Sequence, residues 1–166
     1  MRITSAGSLP GSAIIGALAL AGCASPTVSL SIGFPSQEAF LVTSLIDVDV
    51  VPLGDHLDQC ATLLGAAVQG TDVSASSSSL GLVPCEVRSG LTLPDPGGGG
   101  HAFIVLARAT SGVILAGCTV AEAYPGAPPI QVDLFPTATT NYATALTAAH
   151  LAPGTTAAQR CGASAP

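Results

Sequence analysis

Five cysteines carry the most recognisable chemistry in this 166-residue chain: Cys23, Cys60, Cys85, Cys118 and Cys161. A thiol can bind zinc, pair in a disulfide or carry a covalently attached group. A four-cysteine zinc site is built from close pairs such as C-x2-C, and the last four cysteines are too far apart in sequence for that pattern. In an exported protein they are expected to pair, and because five is an odd number, one cysteine then needs another role.

The four cysteines after Cys23 are therefore predicted to form two disulfides, and four thiols allow three pairings. Closing a loop between neighbours along the chain is easiest in a small exported domain. This favours Cys60 with Cys85 and Cys118 with Cys161. The alternative, in which Cys60 meets Cys118 across the domain, stays open.

Acidic residues surround one histidine near the middle of the chain. His56 lies between Asp55 and Asp58, and Asp47 and Asp49 come shortly before them. Carboxylates together with a histidine can hold a divalent cation. A calcium loop would usually show Asp/Asn-rich spacing with a glycine turn, and this stretch does not match that pattern. We expect a solvated loop at a strand end, with divalent-metal binding as an alternative.

Few groups in the sequence are suited to catalysis. The G-x-S-x-G motif of many serine hydrolases is absent. The glycine run at residues 97–100 is followed by a strand pattern and not by a helix, so it predicts a turn and not a phosphate-binding loop. His101 and His150 are expected at the surface. We predict a protein that is not an enzyme and has no cofactor.

Positive charge is scarce throughout the chain. There is no lysine, and the net charge is −6 with only 8% charged residues, against about 25% in a typical soluble domain. Nucleic acid requires clustered cations, so we expect no nucleic-acid partner. Direct docking on anionic lipid headgroups is disfavoured for the same reason.

The first residues have the layout of a secretory signal peptide. Arg2 and the amino terminus precede an apolar segment at residues 13–20, and small residues follow. The sequence Leu20-Ala21-Gly22-Cys23 then resembles the lipobox of bacterial lipoproteins at all four positions. Ordinary secretion, with cleavage after Ala21, is the alternative, and it would leave Cys23 as a free thiol.

The lipobox resemblance implies a specific maturation. Cys23 would receive a diacylglyceryl group, the chain would be cut between Gly22 and Cys23, and the new amino group would be acylated. The other four cysteines could then pair completely. Residue 24 is Ala, not the Asp that retains enteric lipoproteins in the inner membrane, so the resemblance implies the outer membrane. No apolar run reaches the roughly 18 to 20 residues of a membrane span, so contact with the membrane is expected through the lipid.

Strand patterns dominate the mature chain. The clearest of them is a hairpin with its turn at Thr110-Ser111-Gly112. The predicted strand at residues 80–87 contains Pro84, which would make it an edge strand. A short helix is predicted at residues 58–69. The predicted strands are residues 28–34, 39–51, 80–87, 91–93, 102–109, 113–124 and 130–134.

About seven short strands separated by turns predict a mainly β fold, a single antiparallel β-sandwich with one short helix, after an N-terminal signal helix. Residues 112–120 resemble segments of immunoglobulin-like and transthyretin-like sandwich modules in bacterial surface lipoproteins. The expected organisation is a signal peptide at 1–22, a lipidated terminus and linker at 23–27, the sandwich at 28–136 and an Ala/Thr-rich tail at 137–166. A weak helix is expected at 142–151, and the rest of the tail should be poorly ordered unless Cys161 fastens it.

These observations predict a non-catalytic structural or interaction module, held in the bacterial cell envelope by its lipid, with envelope proteins or glycans as partners. Binding of carbohydrate or peptidoglycan is an alternative. Sugar sites usually expose aromatic platforms, and this chain has no Trp and only Tyr124 and Tyr142 as tyrosines, which weakens that alternative.

Overall fold

The computed structural model describes residues 26–54, 58–71, 73, 78–124, 126–137 and 139–162. This part of the chain is mainly β, as predicted, with two sheets. It contains five helices, where the sequence predicted one short helix in the sandwich and a weak helix in the tail. The strands are β1 (Thr27–Gly33), β2 (Leu45–Pro52), β3 (Ser78–Leu82), β4 (Leu91–Pro94), β5 (Gly100–Ala109), β6 (Gly112–Glu122), β7 (Ile130–Asp133) and β8 (Phe135–Pro136). The helices are α1 (Gln37–Val42), α2 (Cys60–Val68), α3 (Pro84–Val87), α4 (Thr139–Ala148) and α5 (Ala157–Cys161).

The larger sheet has five antiparallel strands in the order β3-β2-β5-β6-β8. Its centre is the predicted hairpin, in which β5 and β6 pair along almost their whole length. Gly112 begins β6 with φ +107°, a conformation that L side chains rarely adopt. The glycine predicted in the hairpin turn is therefore required by its backbone.

The smaller sheet has three strands in the order β4-β1-β7. Strand β1 is antiparallel to β4 but parallel to β7. The predicted all-antiparallel arrangement is therefore wrong for this pair. Strand β7 follows β6, which belongs to the larger sheet, so the chain crosses from one sheet to the other to place β7 beside β1. Because no tight hairpin joins β1 and β7, nothing forces the two strands to be antiparallel.

The main core lies between the two sheets. Leu30 and Leu93 of the smaller sheet are 1% exposed, and Val48 and Phe103 of the larger sheet are fully buried. A second core lies on the other face of the larger sheet, where α2 covers Ile104 and its neighbours. The molecule therefore has three layers: helix α2, the five-stranded sheet and the three-stranded sheet.

Strand β5 is covered on both faces, because it is central in the larger sheet. Its residues 101–107 are all buried. Phe103 and Val105 face the main core, while Ile104 and Leu106 face α2. Such a strand appears in sequence as a continuous apolar run and not as an alternation, which accounts for the sequence of this segment.

The predicted strand at residues 39–51 is wrong in its first part, which forms helix α1. The Ser36 hydroxyl caps this helix by accepting from the Ala39 amide at 3.1 Å. At the other end, the Arg160 guanidinium donates to the carbonyls of Phe40, Leu41 and Thr43 at 2.6–2.8 Å. Both ends of this short helix are thus satisfied, and the strand begins only at Leu45.

The predicted strand at residues 80–87 is also only partly correct. The strand ends at Leu82, and Pro84 lies in the first turn of α3, where its missing N–H is not needed. Strand β3 does lie at the edge of the larger sheet, but Pro84 is outside it. Proline here starts a helix instead of interrupting an edge strand.

The two disulfides are Cys60–Cys118 and Cys85–Cys161, with Cα–Cα distances of 5.9 and 5.5 Å. The favoured pairing of sequence neighbours is therefore wrong, and the open alternative for Cys60 is correct. Cys60 and Cys118 pack against the core beneath α2. Helix α3, which carries Cys85, contributes Val87 to the core on the opposite face of the sheet. The sheet itself keeps Cys60 and Cys85 apart.

The carboxyl-terminal region is folded onto the domain up to residue 162. The weak helix expected at 142–151 is present as α4, which begins and ends three residues earlier, and its Ala145 is buried in the main core. Helix α5 contacts α1 and carries Cys161 into its disulfide with Cys85. The sequence predicted an ordered tail only if Cys161 fastened it, and this disulfide does so. The segment up to residue 162 therefore belongs to the domain.

Candidate functional site

The predicted lipidation site lies outside the described residues. Gly22 and Cys23, with the signal segment before them, precede the first described residue, Pro26. The Pro26 carbonyl accepts from the Asp95 amide at 3.0 Å, and β1 begins at the next residue. The folded domain therefore starts a short distance after Cys23 in sequence.

The acidic residues predicted as an alternative metal site are not brought together in the described part of the chain. Asp47 forms an ion pair with Arg108 at 2.5 Å, and Asp58 is exposed. Asp55 and His56 lie outside the described residues. No group of three or more His, Cys, Asp or Glu side chains suited to a metal occurs among the residues that the structure describes.

The two described histidines, both expected at the surface, differ in their exposure to solvent. His150 is exposed, as predicted. His101 is only 2% exposed, and the prediction is wrong for it. Its Nδ1 lies 3.0 Å from the Gly99 carbonyl oxygen, and its ring stands 6.4 Å from that of Phe103. His101 is buried because β5 is central in the larger sheet.

A cleft of about 400 Å³ with both polar and apolar lining residues opens on the outer face of the smaller sheet. We call it the Arg88 cleft. It is lined by residues 29–31, 88–92 and 129. Ser29 and Ser31 of β1 alternate with the buried Val28 and Leu30, so the packing of the core directs their hydroxyls outward. Thr92 of β4 is the register partner of Ser29 and adds a third hydroxyl.

Arg88 supplies the charge of this cleft. It follows α3 as the carboxyl-terminal capping residue and is exposed. No acidic side chain lines the cleft. The nearest carboxylate in sequence, that of Glu86, accepts from the Val83 amide at 2.9 Å at the other end of the helix. An uncompensated cation thus stands beside a group of hydroxyls.

The other two described arginines are already occupied. Arg108 pairs with Asp47, and Arg160 binds three backbone carbonyls. Burial lowers the pKa of Arg160, which is the cost of placing its guanidinium among the helices. Among the arginines that the structure describes, Arg88 is the one with no hydrogen bond or ion pair to another described residue.

An apolar groove of about 650 Å³ lies on the other side of the molecule, between α2, β6 and β8. The Cys60–Cys118 disulfide and Leu64 form part of its wall, and no charged side chain lines it. Phe135 borders it and is 66% exposed. The groove is mainly apolar, and Gln69 and Thr137 are the polar side chains among its lining residues.

Sequence reasoning missed the Arg88 cleft. The alternation of residues 28–34 predicted that Ser29 and Ser31 face away from the core, and this is confirmed. Nothing local indicated that Arg88, more than 50 residues later, would lie beside them. That placement follows from the pairing of β4 with β1, which a single sequence does not reveal.

No protein-family model, curated protein or solved structure is significantly similar to this chain. None of the helices in the described ranges is long and apolar enough to cross a membrane.

Proposed function

We propose that this chain is a lipid-anchored lipoprotein of the bacterial cell envelope, whose β domain is a non-catalytic interaction module of the outer membrane. The observation that carries the proposal is the sequence Leu20-Ala21-Gly22-Cys23 directly after a signal-like apolar segment. Acylation of Cys23 would supply two or three hydrocarbon chains, which is enough for stable anchoring where a single chain gives only marginal binding.

The disulfides support export. Two bridges pair all four cysteines after Cys23, and disulfides persist in oxidising compartments and are rare in the cytosol. Cys23 is the one cysteine of the chain that these two bridges do not use. A lipid on that thiol accounts for the odd cysteine without a further assumption.

The short connection between Cys23 and the domain supports a position close to the bilayer. Only Ala24 and Ser25 separate Cys23 from Pro26, whose carbonyl is already bonded to Asp95. Three Cα–Cα steps reach about 11 Å at most. The end of the domain where β1 starts and β4 finishes would therefore face the membrane.

The finer fold assignment is part of the same proposal. Two sheets that enclose one core support a sandwich. The parallel pairing of β1 with β7 departs from the predicted antiparallel arrangement, and helix α2 covers the outer face of the larger sheet. A relation to immunoglobulin-like or transthyretin-like modules of surface lipoproteins is proposed on the central hairpin alone.

The proposal is tested by metabolic labelling with an alkyne analogue of palmitate. We expect the wild-type protein to incorporate the label and Cys23→Ser to incorporate none. A control variant with Ser25→Ala keeps Cys23 and should label as the wild type does. Labelling of Cys23→Ser at the wild-type level would contradict the proposal. Density-gradient separation of the membranes then assigns the protein to the outer or inner membrane.

A further inference from the structure

We propose that the Arg88 cleft is a binding site for the carboxylate of an acidic sugar, such as a uronic-acid unit of a polysaccharide. This refines the interaction role proposed above and rests on it only for the compartment in which the ligand is met. The proposal is carried by one juxtaposition: an arginine that binds no other described residue lies beside three outward-facing hydroxyls, in a cleft with no acidic side chain among its described lining residues.

The availability of Arg88 is the first step. In a chain of net charge −6, carboxylates that could neutralise an arginine are more numerous than cations. Arg108 is nevertheless paired and Arg160 is bound to backbone carbonyls, while Arg88 is exposed with no acid in its cleft. A guanidinium presents a planar pair of donors that matches a carboxylate in a bidentate way.

The hydroxyls are the second step. Ser29, Ser31 and Thr92 line the cleft, and Ser29 is the register partner of Thr92. Each hydroxyl can both donate and accept, which suits the hydroxyl groups of a sugar next to its carboxylate. Because these residues lie on strands held by the buried Leu30 and Leu93, their backbone positions are set before a ligand binds.

The number of charges selects the class of anion. One guanidinium neutralises a single negative charge. A nucleic acid or another polyphosphate recruits several cations along its backbone, whereas the cleft offers one, which matches the carboxylate of a single uronic-acid unit. The cleft contains no aromatic side chain on which a neutral sugar would stack, so recognition depends on the carboxylate. Its volume, about 400 Å³, falls within the range of small-ligand sites, about 300 to 1,000 Å³.

The position of the cleft suits a ligand in the aqueous phase. Ser29 and Ser31 are two and four residues along β1 from its first residue, Thr27. A strand rises about 3.3 Å per residue, which places the two hydroxyls about 7 and 13 Å along the strand from the end that leads to Cys23. The site is therefore displaced from the membrane end toward the opposite side of the domain.

Isothermal titration calorimetry tests the proposal on the protein as isolated from cells. The ligands are an oligogalacturonate, the neutral galactose oligomer of the same length, and inorganic phosphate. The variants are Arg88→Gln and Ser29→Val, which removes a hydroxyl but retains a residue suited to a strand. Ser111→Asp, in the exposed turn between β5 and β6, makes the same one-unit change in net charge outside the cleft and is the matched control.

We expect saturable binding of the oligogalacturonate, with affinity at least about tenfold weaker in Arg88→Gln and within about twofold of the wild type in Ser111→Asp. Ser29→Val should weaken binding by a smaller factor. Absence of binding to the wild type, equal affinity for the neutral oligomer or for phosphate, or an equal loss in Arg88→Gln and Ser111→Asp would overturn the proposal. Thermal unfolding of each variant verifies the fold. The titration does not depend on the acyl groups. Absence of oligogalacturonate binding would therefore contradict only the cleft proposal, and absence of palmitate labelling would contradict only the lipid anchor.

Discussion

Arg160 donates from its guanidinium to the main-chain carbonyl of Thr43, which lies 117 residues earlier, at 2.6 Å. The same side chain also binds the carbonyls of Phe40 and Leu41, the carbonyl end of helix α1. Helix termini leave such groups without partners inside the helix, and a cation there also compensates the helix dipole. Helix α5 therefore supplies the hydrogen-bond donors for the carbonyl end of helix α1.

Replacing Arg160 is expected to destabilise the domain. Arg160→Gln removes a charged donor from three carbonyls, and we expect the free energy of unfolding to fall by about 1 to 3 kcal/mol. Urea denaturation followed by circular dichroism measures it. Arg88→Gln is the matched control, since Arg88 binds nothing in the described structure, and it should change the stability by less than about 0.5 kcal/mol. Equal effects of the two variants would contradict the role given to Arg160.

The two disulfides should contribute strongly and separately. They join residues 58 and 76 positions apart, and the chain-entropy relation gives about 4 kcal/mol for each. Replacing both cysteines of one pair by Ala should therefore lower the unfolding free energy markedly while the other bridge still forms.

Peptide mapping without reduction gives the connectivity directly. Linked peptides containing Cys60 and Cys118, and Cys85 and Cys161, are expected. A peptide linking Cys60 to Cys85 would contradict the pairing, because the two residues would then have to meet through the larger sheet.

Gly117 allows β7 to lie close to β6. A Cβ at this position would overlap the Asp133 carbonyl oxygen, and in a strand position the backbone cannot easily give way. Gly117→Ala should therefore destabilise the domain by about 1 to 3 kcal/mol. Gly81→Ala is the control, because its Cβ would make only ordinary contacts, the nearest at 3.8 Å to an Asp47 carboxylate oxygen. Thermal unfolding of the two variants provides the comparison, and equal midpoints would argue against the close approach.

Glu38 should make stability depend on pH in the acidic range. Hydrogen bonds from its own backbone amide and from the Ser36 side chain hold the pKa of this carboxyl below its ordinary value of 4.5. The unfolded chain therefore binds the proton more readily, so the contribution is present above the unfolded pKa and is lost as the pH falls through the folded pKa.

The expected result is that Glu38→Gln is less stable than the wild type at about pH 6 and that this difference shrinks below about pH 4. Urea midpoints across the pH range measure it. Glu122→Gln, at the exposed end of β6, controls for the removal of one carboxylate. A stability difference for Glu38→Gln that grew toward acid would have the wrong sign for a carboxyl whose pKa is lowered by folding.

The sequence predicted those parts of the fold that depend on local patterns. Val28 and Leu30 alternate with serines because one face of β1 is buried, and Gly112 marks the hairpin turn. The prediction was wrong at α1, because four consecutive buried apolar residues are equally typical of a strand. The carbonyl end of this helix is bound by Arg160, which is distant in sequence. The signal for a helix was present in Ser36, a residue that favours the amino-terminal cap.

The disulfides and the candidate site depended on contacts between distant segments. Nearest-neighbour pairing ignored the layer of sheet that separates Cys60 from Cys85. The continuous apolar run of β5 indicates a strand covered on both faces, which would have required such a layered arrangement. The position of Arg88 beside Ser29 follows only from the pairing of β4 with β1, and no local pattern encodes that.

The central claim is that fatty chains on Cys23 hold this disulfide-bonded domain at a membrane. The most direct measurement is the intact mass of the protein extracted from membranes without reduction. We expect a chain that begins at Cys23, heavier by a diacylglyceryl group and an amide-linked acyl group, and lighter by the hydrogens lost from two disulfides. A chain cleaved after Ala21, with an unmodified Cys23 thiol, would contradict the claim.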